Sequence, residues 1–300
     1  AGWFLVFRML QGAVVTGMVL SRAIVRDMVP QDQAASMIGY VTMGMALVPM
    51  VGPMIGGALE EFYGWQATFV FLAACGIAVL ALALADQGET APADAGGATR
   101  FEDLPELLTS PRFWGYALAA AFSSGAFFAY LGGAAFVAQD VYGFTPFWTG
   151  VALGAPAIGY AAGNYLTGRW AGQAGINRLI LLGTLIAAAG MGLSLAINLS
   201  GLKSGGIFFT LCTFLGLGNG LTMPNTMAGL LSVRPRLAGT ASGVGGAIMI
   251  GGGAALSALA GALLTETSGS FPLQAIMFVT SSLSCIAILF VIRRARKIGT

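Results

Sequence analysis

The sequence predicts an all-α, polytopic membrane protein, and three observations predict it. Hydrophobic residues make up 57% of the chain and charged residues only 9%, against about 25% charged in a soluble domain, and the mean hydropathy is +0.82. Apolar stretches of about 20 residues, the length that crosses a bilayer as a helix, recur along the whole chain. The cations fall almost entirely in one set of alternate loops, the pattern of short loops that remain in the cytoplasm.

Taken in order, the stretches place spans near Trp3–Val25, Ser36–Leu59, Trp65–Ala85, Phe113–Ala138, Thr149–Trp170, Leu179–Leu199, Gly206–Leu231, Thr240–Leu264 and Leu273–Ile292, nine in all. Arg22 and Arg26, Arg100 and Arg112, Arg169 and Arg178, Arg234 and Arg236, and Arg293, Arg294, Arg296 and Lys297 share one side. The opposite side holds Glu60, Glu61, Asp140 and Glu266, with Lys203 as its one cation. The first helix therefore runs inward and the C-terminus is expected in the cytoplasm. The opening AGWFLVFR has neither Met nor a polar lead, so the chain is expected to begin inside a helix. A cleaved signal peptide is the alternative, and no small-residue cleavage pattern supports it.

The longest polar interruption, Asp86–Pro111, holds TAPADAGGAT and a short amphipathic piece, RFEDLPELL, and reads as a cytoplasmic linker. Residues 1–85 then form the end of a first bundle and residues 112–300 a second bundle of six helices. Three spans before the linker and six after it predict a six-plus-six protein lacking its first three helices. A weak internal echo fits duplicated halves: Ala35-Ser36, Gly39 and Met43 recur at one constant offset as Ala241-Ser242, Gly245 and Met249.

The second span carries ALVPMVGPMIGGAL, residues 46–59, with two prolines and three glycines in an apolar run. Such residues break helices in water, whereas in a bundle the neighbouring helices accommodate the freed backbone groups. A bent helix is expected here, with Gly52 and Gly56 on one face where a second backbone approaches. In the first span, Arg8 stands roughly 21 Å from Arg22 by helical rise, deep in the hydrocarbon. A charge there is costly and should face protein or a water-filled cavity. It either bonds neighbouring backbone carbonyls or pairs with a protonatable carboxylate, and Gln11 lies on nearly the same face to orient it.

These residues resemble the major facilitator superfamily, and within it the drug:proton antiporters of the bicyclomycin- and chloramphenicol-resistance type. FRMLQGAVVTGMVLSRAIVRD is similar to that branch's fourth helix, with its R-x-x-Q-G signature at Arg8, Gln11 and Gly12. VGPMIGGALEEFYGWQATF is similar to its fifth-helix antiporter motif, residue by residue at Pro49, Gly52, Pro53, Gly56 and Gly57. GGAAFVAQDVYGFTP resembles the end of its seventh helix, and the stretch from GNGLTMPN to ALSALAG its tenth and eleventh.

The resemblance implies a major facilitator fold of two pseudo-repeated six-helix bundles, here the fourth to twelfth helices, exporting small amphiphilic compounds against protons by alternating access. Export of a metabolite, an amino acid or sugar, is the alternative; a transport-dead sensor is a third reading, for which no signalling domain is present. Proton coupling and gating fall to Arg8, Gln11, Gly12, Asp27 and Arg236, with Asp27 either a latch to cationic groups such as Arg236 or a solvated helix-end carboxylate. All twelve acidic residues lie in loops or at helix ends by these boundaries, so the proton carrier is expected in the preceding helices. Phe127, Phe128 and Tyr130 with Asn164, Asn219 and Asn225 are the cavity candidates, since an amphiphilic cargo needs aromatic walls and a few hydrogen-bonding groups. Each of those aromatics equally suits packing, and the thirteen methionines suit either a plastic wall or gap filling.

Enzymatic chemistry has little to work with. The chain has no histidine and three cysteines, Cys75, Cys212 and Cys285, each alone in an apolar span. No metal-ligand spacing or Walker-type loop occurs, and GLGNG lies mid-helix with no preceding strand. The basic residues are membrane anchors and give no nucleic-acid patch. No cofactor is expected; the partners are the cargo, protons and the lipid bilayer, and the chain is expected to work as a monomer.

Overall fold

A computed structural model describes residues 2–11, 51–86, 104–234, 237–265 and 267–298. Helices are the only regular elements among them. The chain divides into two units, Ala1–Val48 with Phe69–Ala98, and Pro49–Thr68 with Thr99–Thr300.

In the first unit, α1 (Gly2–Gln11) turns Trp3, Leu5, Phe7 and Met9 outward. The greater part of α3 (Trp65–Asp86) also lies here, apolar on all sides and with no buried residue. An all-round apolar helix needs either protein or lipid to cover it.

The second unit begins with the helical segment 51–63, here α2. It stops where Gly64 takes a left-handed φ of 82° and donates its N–H to the Glu60 carbonyl, a turn that favours glycine. After α4 (Leu104–Leu108) come α5 (Pro111–Phe136), continued by a π-turn at Val137–Val141, then α6 (Pro146–Leu153), α7 (Ala155–Ala174), α8 (Ile176–Leu199), α9 (Gly205–Val233), α10 (Ala238–Leu263) and α11 (Phe271–Ile298). Six described helices are long and apolar enough to cross a membrane. Helix α5 is the hub, packed against α9, α10 and α11. Its Gly125, Gly132 and Gly133 stand under Leu256, Ser257 and Leu264, which a Cβ there would force to shift. Along α7 and α9 the approach is closer still: Gly159 faces the Thr213 backbone and Gly163 faces Gly220.

One expected span is not continuous. The stretch read as Thr149–Trp170 breaks at Gly154 into α6 and α7. Pro156 is responsible, because it has no N–H to offer Ala152, four residues back, and its ring crowds that carbonyl. The Ala152 carbonyl instead accepts the hydroxyl of Tyr130 at 2.9 Å. The other described spans agree with expectation at the level of existence and differ at their ends, α9 and α11 running longer.

The amphipathic piece of the linker forms α4. Its Leu107 is fully buried among Phe113, Tyr116, Ile180, Leu230 and Val291. The Trp114 indole N–H donates to the Leu108 carbonyl at 2.7 Å, and Arg234 Nε lies 3.1 Å from Glu106 Oε1. Burial of Leu107 dominates this docking, since both ion-pair side chains are substantially exposed and such pairs contribute under about 1 kcal/mol.

Three outcomes follow for thermal unfolding in detergent. Leu107→Ala should cost about 2–5 kcal/mol, whereas Glu106→Ala should cost under about 1 kcal/mol. Tyr130→Phe should cost about 1–3 kcal/mol by leaving the Ala152 carbonyl unpaired in a dry interior.

Candidate functional site

The antiporter-like run and the start of α6 are brought together. Gly57 on α2 is buried against the carbonyl of Pro146 and the Cα of Phe147, and Gly150 on α6 lies against the carbonyl of Pro53 and the Cα of Met54. Positions 53 and 57 pair in reverse order with 150 and 146, so the two helices cross antiparallel. Each glycine sits under the other helix's carbonyl, and any side chain at either position would strike backbone. Small residues permit this approach in a membrane, where packing and polar contacts hold helices together.

The expected face, at Gly52 and Gly56, has no described backbone against it. Gly52 is exposed and nothing described stands where its Cβ would be, and Gly56 is half-buried with a single contact at 4.0 Å, to Thr68. Both spacings are four residues, so periodicity alone could not choose between the stripe at 52 and 56 and the stripe at 53 and 57. Among the described residues, Pro146 and Gly150 meet the second.

The described cavity candidates differ in burial and in what their polar groups bond. Tyr130 is fully buried, stacks on Phe127 with ring centres 6.3 Å apart and spends its hydroxyl on Ala152. Phe128 is half-buried and lies over Gly253 of α10. Asn219 is buried and accepts the Ser123 hydroxyl from α5. Asn225 is also buried; its Nδ2 donates to Leu221 O at 2.7 Å and to Thr167 Oγ1 of α7 at 3.3 Å. Asn164 is half-buried and donates to Tyr160 O of its own helix at 2.8 Å. Asn219 and Asn225 thus tie α9 to α5 and α7, which leaves Phe127, Phe128 and Asn164 with surface to offer.

Arg8 and Gln11 lie on α1, but their side chains, with Gly12, Asp27, Pro49 and Arg236, lie outside the described residues. Arg234, close to the expected latch residue Arg236, pairs with Glu106 of the linker. A small pocket of about 180 Å³ between α8, α9 and α11 is lined by Ser194, Asn198, Ser204 and Gln274. It includes none of the cavity candidates. No cluster able to hold a metal occurs among the described residues.

Sequence reasoning missed Glu61, whose carboxylate accepts the backbone N–H of Phe147 at 3.0 Å, and missed Pro146 and Gly150 as the partners of the proline–glycine run. The signal was Thr145-Pro146, a helix-start pair of N-cap and N1 residues.

The model of the Major Facilitator Superfamily matches residues 1–258. The chain belongs to the major facilitator superfamily. Among curated superfamily relatives, an uncharacterized MFS-type transporter of Bacillus subtilis, YdgK, is 29% identical over 93% of this chain and 70% of its own. A bicyclomycin resistance protein homolog of Haemophilus influenzae is 26% identical over 99% of this chain and 75% of its own. Among solved structures, a bacterial homolog of the human lysosomal transporter Spinster, inward-facing and occupied, aligns with a TM-score of 0.66 at 18% identity, over 92% of this chain and 73% of that one. The chain is accordingly a multi-pass membrane transporter of the major facilitator fold.

The seam predicts a contrast between glycines. Gly57→Leu and Gly150→Leu should each cost about 1–3 kcal/mol by overpacking, measured as loss of thermal stability in detergent, while Gly64→Ala, at a turn outside the seam, should leave the seam contacts intact and lose stability only through its left-handed φ.

Proposed function

We propose that this major facilitator protein exports small amphiphilic compounds in exchange for protons, by alternating access. The observation that carries the reading is the G-P-x-x-G-G run at Gly52–Gly57 built into a backbone-to-backbone seam with α6. A seam that tight excludes water along its length, so ions cannot leak through it, yet it is held by no buried ion pair among the described residues and can part without stranding a charge. The relative named for bicyclomycin resistance supports a drug-like cargo.

Coupling is assigned to Arg8 with Gln11 and Gly12, and to Asp27 and Arg236 as a latch at the arginine-rich end. The described acidic residues, Glu60, Glu61, Asp86, Glu106 and Asp140, all stand at or near helix ends. A proton carrier needs a desolvated carboxylate whose affinity for protons is raised by burial, and none of these five occupies such a position. Phe127, Phe128 and Asn164 are proposed as this chain's contribution to the cargo surface. The orientation, with the arginine-rich loops and the C-terminus in the cytoplasm of the bacterial inner membrane, and the monomeric state are part of the same proposal.

The test is transport by the full-length protein in proteoliposomes with an imposed proton gradient, following a panel of antibiotics and amphiphilic dyes with native Arg8 and with Arg8→Ala. Gradient-driven movement of a dye or antibiotic, lost to background in Arg8→Ala, is the expected result. Movement of an amino acid or sugar alone, indifferent to the gradient, would replace the drug reading with that of a metabolite facilitator.

A further inference from the structure

We infer that Glu61 is a latch that holds the α2–α6 seam closed at the end opposite the arginine-rich loops. The first turn of α6 has few N–H groups to satisfy, and each can be traced. Pro146, the first residue, has none; Trp148 N–H reaches the Thr145 hydroxyl at 3.5 Å; Thr149 N–H reaches the Thr145 carbonyl at 2.8 Å. The remaining donor, Phe147 N–H, is met by Glu61 at 3.0 Å, the one bond in this turn that crosses between helices.

Its placement makes the bond a latch. Residues 53, 57 and 61 follow one another at helical spacing on one stripe of α2, so the carboxylate continues the line of Pro53 and Gly57 to the tip of the seam. The glycine contacts below it are van der Waals contacts that fade within an ångström of separation. The Glu61 bond is directional, and it sets a negative charge against the positive end of α6. The neighbouring acids, Glu60 and Asp140, are exposed, and neither has a described contact with this turn. Helices α2 and α6 cannot separate at this end until the bond breaks and both groups turn to water. Glu61 touches no cargo in this account: it is a positioning residue whose release sets how readily that end opens.

The inference rests on alternating access but not on which compound is moved, and the test separates the two. Spin labels at Tyr63 and Gln139 in the full-length transporter, both exposed and at this end, report the separation of α2 from the end of α5 by pulsed electron resonance. Glu61→Ala should raise the ratio of long to short distances by about twofold to fivefold, the usual worth of a carboxylate at a helix N-terminus. Glu61→Gln, which keeps an acceptor oxygen but not the charge, should fall between Ala and native. A distance distribution in Glu61→Ala that matches the native one overturns the latch, as does a loss of thermal stability with no change in the ratio. A shifted ratio in a protein that moves no drug in proteoliposomes upholds the latch and counts against the drug reading alone.

Discussion

The constraint on which the rest of the structure depends is close approach of backbones in a solvent that gives helices no hydrophobic reason to associate. Lipid tails are as apolar as the side chains they touch, so helices hold together through packing and polar contacts. This chain meets the constraint with glycine: its 45 glycines include those that admit α7 to α9, α5 to its three neighbours and α2 to α6. At each contact a carbonyl or a side chain of one helix fills the place where a Cβ would stand on the other.

The three contacts are not alike in what accompanies them. Between α7 and α9 the glycines are backed by buried hydrogen bonds, Thr167 to the Gly220 carbonyl and Asn225 to Thr167. The α5 hub is backed by Ser123 to Asn219 and by Ser284 to the Ala119 carbonyl. Such bonds cost free energy to open in a dry interior. The α2–α6 seam has its one described side-chain bond at a wet rim, at Glu61. Physical chemistry thus separates helices built to move as one body from a pair able to part, and this difference gives the proline–glycine run a mechanical meaning.

Much of the described fold was legible in the sequence, because hydropathy alone marks segments long and apolar enough to cross a membrane. The described helices lie where the apolar stretches lie, and the amphipathic linker piece is a helix docked by Leu107. The break at Gly154 was written in Pro156, but an apolar run of span length masked it. What the sequence could not decide was which of two equivalent stripes on α2 meets a partner, since that depends on a helix ninety residues further on. Nor could it distinguish an asparagine that lines a cavity from one that clamps two helices. Asn219 and Asn225 bond across to Ser123 and Thr167, a partnership that only the positions of those residues reveal.

The central claim is that the α2–α6 seam parts during transport. The most direct measurement replaces Glu61 and Phe147 with cysteine in a full-length protein whose Cys75, Cys212 and Cys285 are removed, bridges the pair with a short reducible crosslinker, and follows cargo movement in proteoliposomes. Transport that stops on bridging and returns on reduction is the predicted result. Transport that continues at the unbridged rate with the link intact would contradict the account.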